Sequence, residues 1–355
     1  MKKCLAVGII ILLVGTCIIP AIALDTEKPL PASRASWLYV GGSGPGNYTK
    51  IQDAINVSSD GGTVFVYNDS SPYNESVRII YSIKLLGENQ TSTIINSKED
   101  YIIKILTDNV TVEGFTLSGS AYGIFIEANS CVITNNIIKS GGIHFFFTYN
   151  NTISHNTILG NRGIGIYLTE TAITVIENNS ISGNFTGISA YKSSNTLIAN
   201  NHLNNNTQGI MLIECSPANV TSNVIANATR FAIFLQGPMG TNHIIGNMVM
   251  SCYLGIFFWL SENQILEYNT ILNSGLGIKL VESNRNLITH NVFRENTLNA
   301  VFNESYQNKW RRNFWDHPRI LPYIISGTTI IYRWPLKWFN FDWRPAQEPY
   351  DTFLS

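Results

Sequence analysis

Aspartate is missing from the whole stretch between Val110 and Trp315. That removes the Asp pairs of glycoside hydrolysis and the Asp-rich cages that hold Ca2+, leaving glutamate as the available acid. Charge is scarce throughout: charged residues make up 13% of the 355-residue chain, and the net charge is −1. With no excess of Lys and Arg to neutralise phosphates, nucleic acid is not an expected partner. Beyond Leu24 there is no apolar run long enough to cross a bilayer. Cysteine is limited to five residues, of which Cys4 and Cys17 fall in the apolar N-terminal run. The other three, Cys131, Cys215 and Cys252, are odd in number and read as packed thiols rather than as a disulfide framework.

What the chain has instead is asparagine in a repeat. Asn151–Leu159 reads NTISHNTIL, Asn195–Leu203 reads NTLIANNHL and Asn286–Phe293 reads NLITHNVF. Aligned, these give anchors at Gly114, Asn136, Asn156, Asn179, Asn201, Asn223, Asn247, Asn269, Asn291 and Asn313, separated by 20 to 24 residues and mostly by 22. A fixed period of this length means a solenoid. Apolar residues sit three before the anchor (Ile153, Ile198, Val220) and two after it (Ile158, Leu203, Ile225), and a third run follows a glycine, as in Gly209-Ile210-Met211-Leu212. Short β-branched runs with period-2 alternation are strand chemistry. Three strands per repeat predict an all-β parallel β-helix of roughly ten coils, stacked about 4.8 Å apart. Asn179, Asn201, Asn223 and Asn247 should therefore form a row, with their amides hydrogen-bonded along it. The anchor Asn and the glycine before the third strand are each expected at a corner, Asn because it tolerates the left-handed region. A leucine-rich repeat shares the period, but it needs Leu five and eight before the Asn, and the residues five before are mostly polar: Asn151, Thr174, Thr196, Ala218, Asn242 and Gln264.

The remaining segments frame the solenoid. Residues 1–23, with Lys2-Lys3, the run from Leu5 to Ile19 and Pro20-Ala21-Ile22-Ala23, read as a secretory signal peptide, or else as an uncleaved anchor. Residues 24–36 read as a linker and 37–58 as an N-terminal cap. That cap includes an amphipathic helix at Thr49–Ser58, with Thr49 as N-cap and Ile51, Ala54, Ile55 and Ser58 on one face. The β-helix then runs over 59–316. In the tail, 317–355, Trp334, Trp338 and Trp343 gather beside Phe339 and Phe341. It reads as a C-terminal cap rather than an independent module, since so short a segment rarely folds alone.

The entry Tyr48-Thr49-Lys50-Ile51-Gln52-Asp53-Ala54-Ile55, followed by Gly62-Thr63-Val64-Phe65-Val66, resembles that of secreted right-handed β-helix proteins. The repeats with paired Asn and Gly-Ile, and the ending Arg312-Asn313-Phe314-Trp315-Asp316, resemble the β-helix region of NosD-type periplasmic copper-binding proteins. This resemblance covers roughly residues 38–316 and implies a right-handed solenoid. It also raises a role as an accessory for maturing a periplasmic copper enzyme. The tail departs from that pattern, with His317-Pro318-Arg319-Ile320-Leu321-Pro322 in place of an Asp/Gly-rich segment.

The residues themselves point to a binding protein rather than an enzyme, with no cofactor. His144, His155, His202, His243, His290 and His317 lie at different phases or many coils apart, so no metal site is expected. Glu170, Glu214 and Glu282 follow their anchors by 13 or 14 residues. Glutamates on alternate coils would stand about 9–10 Å apart, at the edge of the range for an inverting pair, so a Glu-based polysaccharide enzyme is the alternative. Alternation in the third strand directs Ile188, Ala190, Ile210, Leu212, Ile256, Phe258, Ile278 and Leu280 inward. It turns Ser189, Tyr191, Met211, Ile213, Phe257, Trp259, Lys279 and Val281 outward, with Phe125, Tyr167 and Phe234 on neighbouring coils. So apolar an outer face is expected to be an interaction surface, unless the tail folds back over it. Tyr167, Tyr191, Phe234, Phe257, Trp259, Glu170, Glu214 and Glu282 are the candidate ligand-binding residues. The expected partner is a polysaccharide or a cell-envelope protein, and the expected location is extracellular, cell-surface or periplasmic. Thirteen Asn-x-Ser/Thr sequons are also present, among them Asn109, Asn178, Asn184, Asn205 and Asn219.

Overall fold

In the computed structural model, which describes residues 36–350 apart from 161–162, 238–239 and 332–333, the repeat closes into a parallel β-helix. The expected signal peptide and all but Ser36 of the linker lie outside the described residues. One coil shows the plan. Thr196–Ala199 lies on face 1, His202–Asn204 on face 2 and Gln208–Ile213 on face 3, each in parallel register with its equivalents in the coils before and after. Face 2 stacks twelve strands, two more than the ten anchors, because Tyr73–Asn74 and Ile94–Asn96 build coils that lack the Asn signature. Inside, Ile198, Leu203, Ile210 and Leu212 are sealed from solvent with their equivalents in one continuous core.

The anchor asparagines are buried, and they form the expected row. Each Asn donates its backbone N–H and its Nδ2 to the Oδ1 of the next: 3.0 and 3.0 Å from Asn179 to Asn201, and 2.9 and 3.0 Å from Asn201 to Asn223. The same Nδ2 also reaches back to a face 1 carbonyl, as Asn223 does to the Ile198 oxygen at 2.8 Å. The corner itself is made by the residue before the anchor, correcting the expectation that the Asn takes the left-handed conformation. Asn178, Asn200, Ser222 and His290 have φ of 55, 55, 53 and 55°. The anchor is thereby free to aim its amide inward.

The glycine before the third run is likewise not a corner. Gly209 lies inside its strand, where a Cβ would come within 2.3 Å of the Ala232 carbonyl oxygen of the next coil. The helix also differs from expectation. It spans Ile51–Asn56 with Lys50 at the N-cap and no side-chain cap of its own. The two oxygens of Glu75 accept from the Ile51 and Gln52 N–H groups at 2.9 and 3.0 Å, so the next coil supplies what Thr49 was expected to give.

At the other end the tail forms an antiparallel hairpin, Tyr323–Ile331 with Trp334–Asp342. Its strands extend faces 3 and 1 and join them into one 26-stranded sheet. Trp315 is fully buried, stacked between Phe293 at 4.6 Å and Tyr323 at 4.1 Å. Asp342, also fully buried, takes the place of the next rung. Its carboxylate accepts from Asn313 N and Nδ2 at 2.9 and 3.1 Å, from Trp315 Nε1 at 3.1 Å, and from the Arg312 and Arg344 N–H groups. Replacing one oxygen by an NH2 sets donor against donor. Asp342→Asn should therefore cost about 2–4 kcal/mol, confined to the last coils because solenoid stability is local. Native-state hydrogen exchange should show protection lost over 309–342 and kept before Asn247; unchanged protection at Trp315 would show that the carboxylate is dispensable.

Candidate functional site

Face 3 carries the candidate residues, and the inward and outward sets follow the alternation read from the sequence. Ile188, Ala190, Ile210, Ile256, Phe258, Ile278 and Leu280 are sealed in the core, with Leu212 at 1% exposure. Outside, Tyr167 aligns with His144 and Ser189, and Phe234 lies between Met211 and Phe257. In a second row Tyr191 aligns with Thr169 and Ile213, and Trp259 with Gln236 and Val281. Tyr167, Tyr191 and Phe257 are half-buried, and Trp259 is exposed.

Two residues of the outer rows are buried, Ser189 at 5% exposure and Phe234 at 6%. The Phe234 ring packs 4.9 Å from Phe231 and 5.2 Å from Phe257, within a cluster separate from the core that also holds Leu254, Met211, Ile213 and Leu276. Phe231 and Leu254 escaped the sequence reading because strict alternation from Ile233 and Ile256 sends them inward. Alternation breaks at the glycine position: a Cβ on Gly209 would point at the core side chain of Ile225, which leaves the residue before it on the outer face. No described residue of the tail belongs to this cluster. Beyond the hairpin, Tyr350 reaches the corner of faces 1 and 2, where it meets Tyr268 and His290.

A second aromatic group precedes the first along face 3. Phe125 stacks on Phe146 at 4.9 Å, and His144 meets Tyr122 edge-on at 5.0 Å and Tyr167 at 5.7 Å. The Lys104 ammonium lies 5.0 Å above the Phe125 ring and 3.2 Å from Glu127. Glu170, Glu214 and Glu282 border the face at its corner with face 1, each in the left-handed region (φ 53, 53 and 48°). Lys192 stands in the same row, its Nζ 3.9 Å from Glu214 and 5.1 Å from the Tyr191 ring centre. Tyr191 first, and then Glu214, hold this ammonium above its ordinary range. The row is thus a mixed-charge rim beside the aromatic rows.

Two family models match the chain. One, for right-handed β-helix regions, matches residues 100–249; the other, NosD, described as a periplasmic copper-binding protein, matches residues 184–331. The chain folds as a parallel β-helix, and it is similar to each of these two families over less than half of its length. A curated relative, a cell surface glycoprotein of Methanothermus fervidus, is 31% identical over 160 residues, covering 34% of this chain and 26% of its own length. The chain therefore spans about a quarter of that relative. Among solved structures, the A-module of the mannuronan C-5 epimerase AlgE4 of Azotobacter vinelandii aligns over 84% of this chain and 94% of its own, with a TM-score of 0.54 and 12% identity. PfbA, a surface adhesin of Streptococcus pneumoniae, aligns over 84% and 95%, with a TM-score of 0.57 and 11% identity. These two likenesses establish the fold.

The copper in the NosD description finds no fitting donor set among the described residues. Among the described residues no three His, Cys, Asp or Glu side chains come together. Cys131, Cys215 and Cys252 are buried free thiols in separate coils, and burial pushes each up to about 11, against the thiolate a metal needs. The ring neighbours of His144 are the aromatic groups named above. Burial, opposed by a hydrogen bond involving the Gly141 backbone, lowers its imidazole to about 4. The unfolded chain takes up this proton near the ordinary value of about 6.5, so between these limits the unfolded state binds more protons and stability falls as pH drops. His144→Phe should shrink the loss of Tm between pH 6.5 and pH 4.5; an identical loss in both proteins would place His144 in contact with bulk water.

Proposed function

We propose that this β-helix protein is exported, acts without catalysis, and binds an envelope polysaccharide across face 3. The observation that carries this reading is the pair of aromatic groups on one outer sheet, bordered by the Glu and Lys rim. Aromatic rings held on a rigid scaffold offer flat apolar faces to the C–H faces of sugar rings, and the rim offers acceptors and donors to hydroxyls. Tyr191, Phe257 and Trp259 in one group and Tyr167 in the other are the contacts, with Glu170, Glu214 and Glu282 beside them. Phe234 supports Phe257 from below. The surface-protein name of the curated relative agrees with export.

The NosD match favours a second reading, an accessory in the maturation of a periplasmic metal enzyme. Since no donor set among the described residues fits copper, that role would rest on binding a protein rather than the metal.

Sedimentation with insoluble envelope polysaccharide tests the first reading. Tyr191→Ala with Trp259→Ala should weaken binding about tenfold to a hundredfold, because two rings that stack on sugars are removed together. Unchanged binding to polysaccharide and to envelope proteins would make the face structural. Turnover of pectin or alginate that disappears in Glu170→Gln or Glu214→Gln would replace the binding reading with an enzymatic one.

A further inference from the structure

Asparagine in this chain is sorted by position. The face 3 strands from Val77–Ile79 to Leu276–Val281 contain none. Inside the corners, the ladder asparagines are buried with their amides spent. A different set stands outside. Asn109 lies between faces 3 and 1, Asn178 between faces 1 and 2, and Asn205 between faces 2 and 3, with φ of 61, 55 and 54°. Asn219 points outward from the face 1 strand Ala218–Thr221. All four are exposed, and among the described residues their carboxamides have no hydrogen-bond partner. Each is followed by the sequon hydroxyl two residues on: Thr111, Ser180, Thr207 and Thr221.

Asn184 has the same motif with Thr186 and the opposite environment. It is 3% exposed, and its Nδ2 donates to the Ser182 carbonyl at 3.1 Å and to Asn206 Oδ1 at 3.1 Å. A glycan on that nitrogen would have to displace the neighbouring rung. At Asn56, Asn74, Asn89, Asn150 and Asn227 the carboxamide is exposed but already engaged, as in the 2.9 Å bond from Asn227 Nδ2 to Asn204 Oδ1.

We propose that Asn109, Asn178, Asn205 and Asn219 are N-glycan attachment sites and that Asn184 is not. This rests on the export reading, because the donor is a lipid-phosphate-linked oligosaccharide presented at the outer side of the membrane. In the transfer, Nδ2 bonds to the anomeric carbon of the first sugar. The bond from that carbon to the phosphate oxygen breaks, the lipid phosphate leaves, and one amide proton is released. Glycans at these positions decorate the corners and face 1, and the face 3 strands through Val281 have no acceptor for one.

The test uses the native protein from its source cells, with cell fractionation followed by peptide mass mapping. Peptides holding Asn109, Asn178, Asn205 and Asn219 should carry saccharide mass increments, and the peptide holding Asn184 should have its unmodified mass. Thr207→Ala, expressed in the same cells, should abolish the increment at Asn205 and leave the other three. A surface-located protein with those four sites bare, or with a glycan on Asn184, overturns the assignment while leaving export intact. A protein confined to the cytoplasm overturns export and the assignment together.

Discussion

A closed coil must turn three corners, and at each one the backbone leaves the sheet ladders while staying packed against the core. Peptide groups stranded there need partners, since a buried orphan costs about 1–3 kcal/mol. The asparagine amide meets that need in both directions. Its Oδ1 takes an N–H from the coil before, and its Nδ2 supplies a carbonyl in that coil and another in its own. Because each rung is completed by its neighbours, the amides fix the spacing of the coils and the register of all three faces. Variation in coil length is pushed elsewhere. The 20-residue step from Asn136 to Asn156 contains a short face 3 strand, Ile143–Phe146, while the 24-residue step after Asn223 carries one extra residue before Phe231 and one beyond Gln236.

The same need recurs at the other two corners with different chemistry. Asn242, Gln264, Asn286 and Asn308 form one further row, and Ser261, Ser283 and Ser305 another. Cys252 enters such a row as well, accepting from the Ala228 N–H and sitting beside the Ser274 hydroxyl, which explains a buried thiol without redox partners. The terminal Asn313-Phe314-Trp315-Asp316 segment closes the stack. Asn313 is the last rung, Trp315 plugs the core, and Asp316 accepts from the Glu295 N–H and from Asn299 Nδ2. Its residues are thus occupied in ending the solenoid, which is why the motif says more about fold than about chemistry.

Legibility followed the range of the interactions. The period, the three strands and the inward set at Ile210 and Leu212 were readable, because burial imposes them on every coil alike. In the sequence Gln264 and Asn242 speak only against a leucine-rich repeat; their role as rungs depends on a neighbour 22 residues away. Phe231 was hidden by a break in alternation at Ala232, the position that glycine holds in the coils on either side. Glu75 capping the helix was hidden because the capping residue lies more than twenty positions downstream. Of the candidate face, the outward rows were visible in the sequence. What was not visible was that Phe234 is consumed by its neighbours, or that Tyr350 at the far end of the tail meets Tyr268 and His290.

The amide row also has a direction. From Asn136 to Asn313 each Nδ2 points toward the C-terminal end and each Oδ1 toward the N-terminal end. The nine side-chain dipoles therefore add head to tail, as peptide dipoles do in a helix, and leave partial positive charge at the end that Asp342 occupies. An anion there is favoured for the same reason that acidic residues gather at helix N-termini. Polarity along the axis makes the two ends chemically unlike: a further Asn-bearing coil can be inserted within the row, but the carboxylate has only one place to stand.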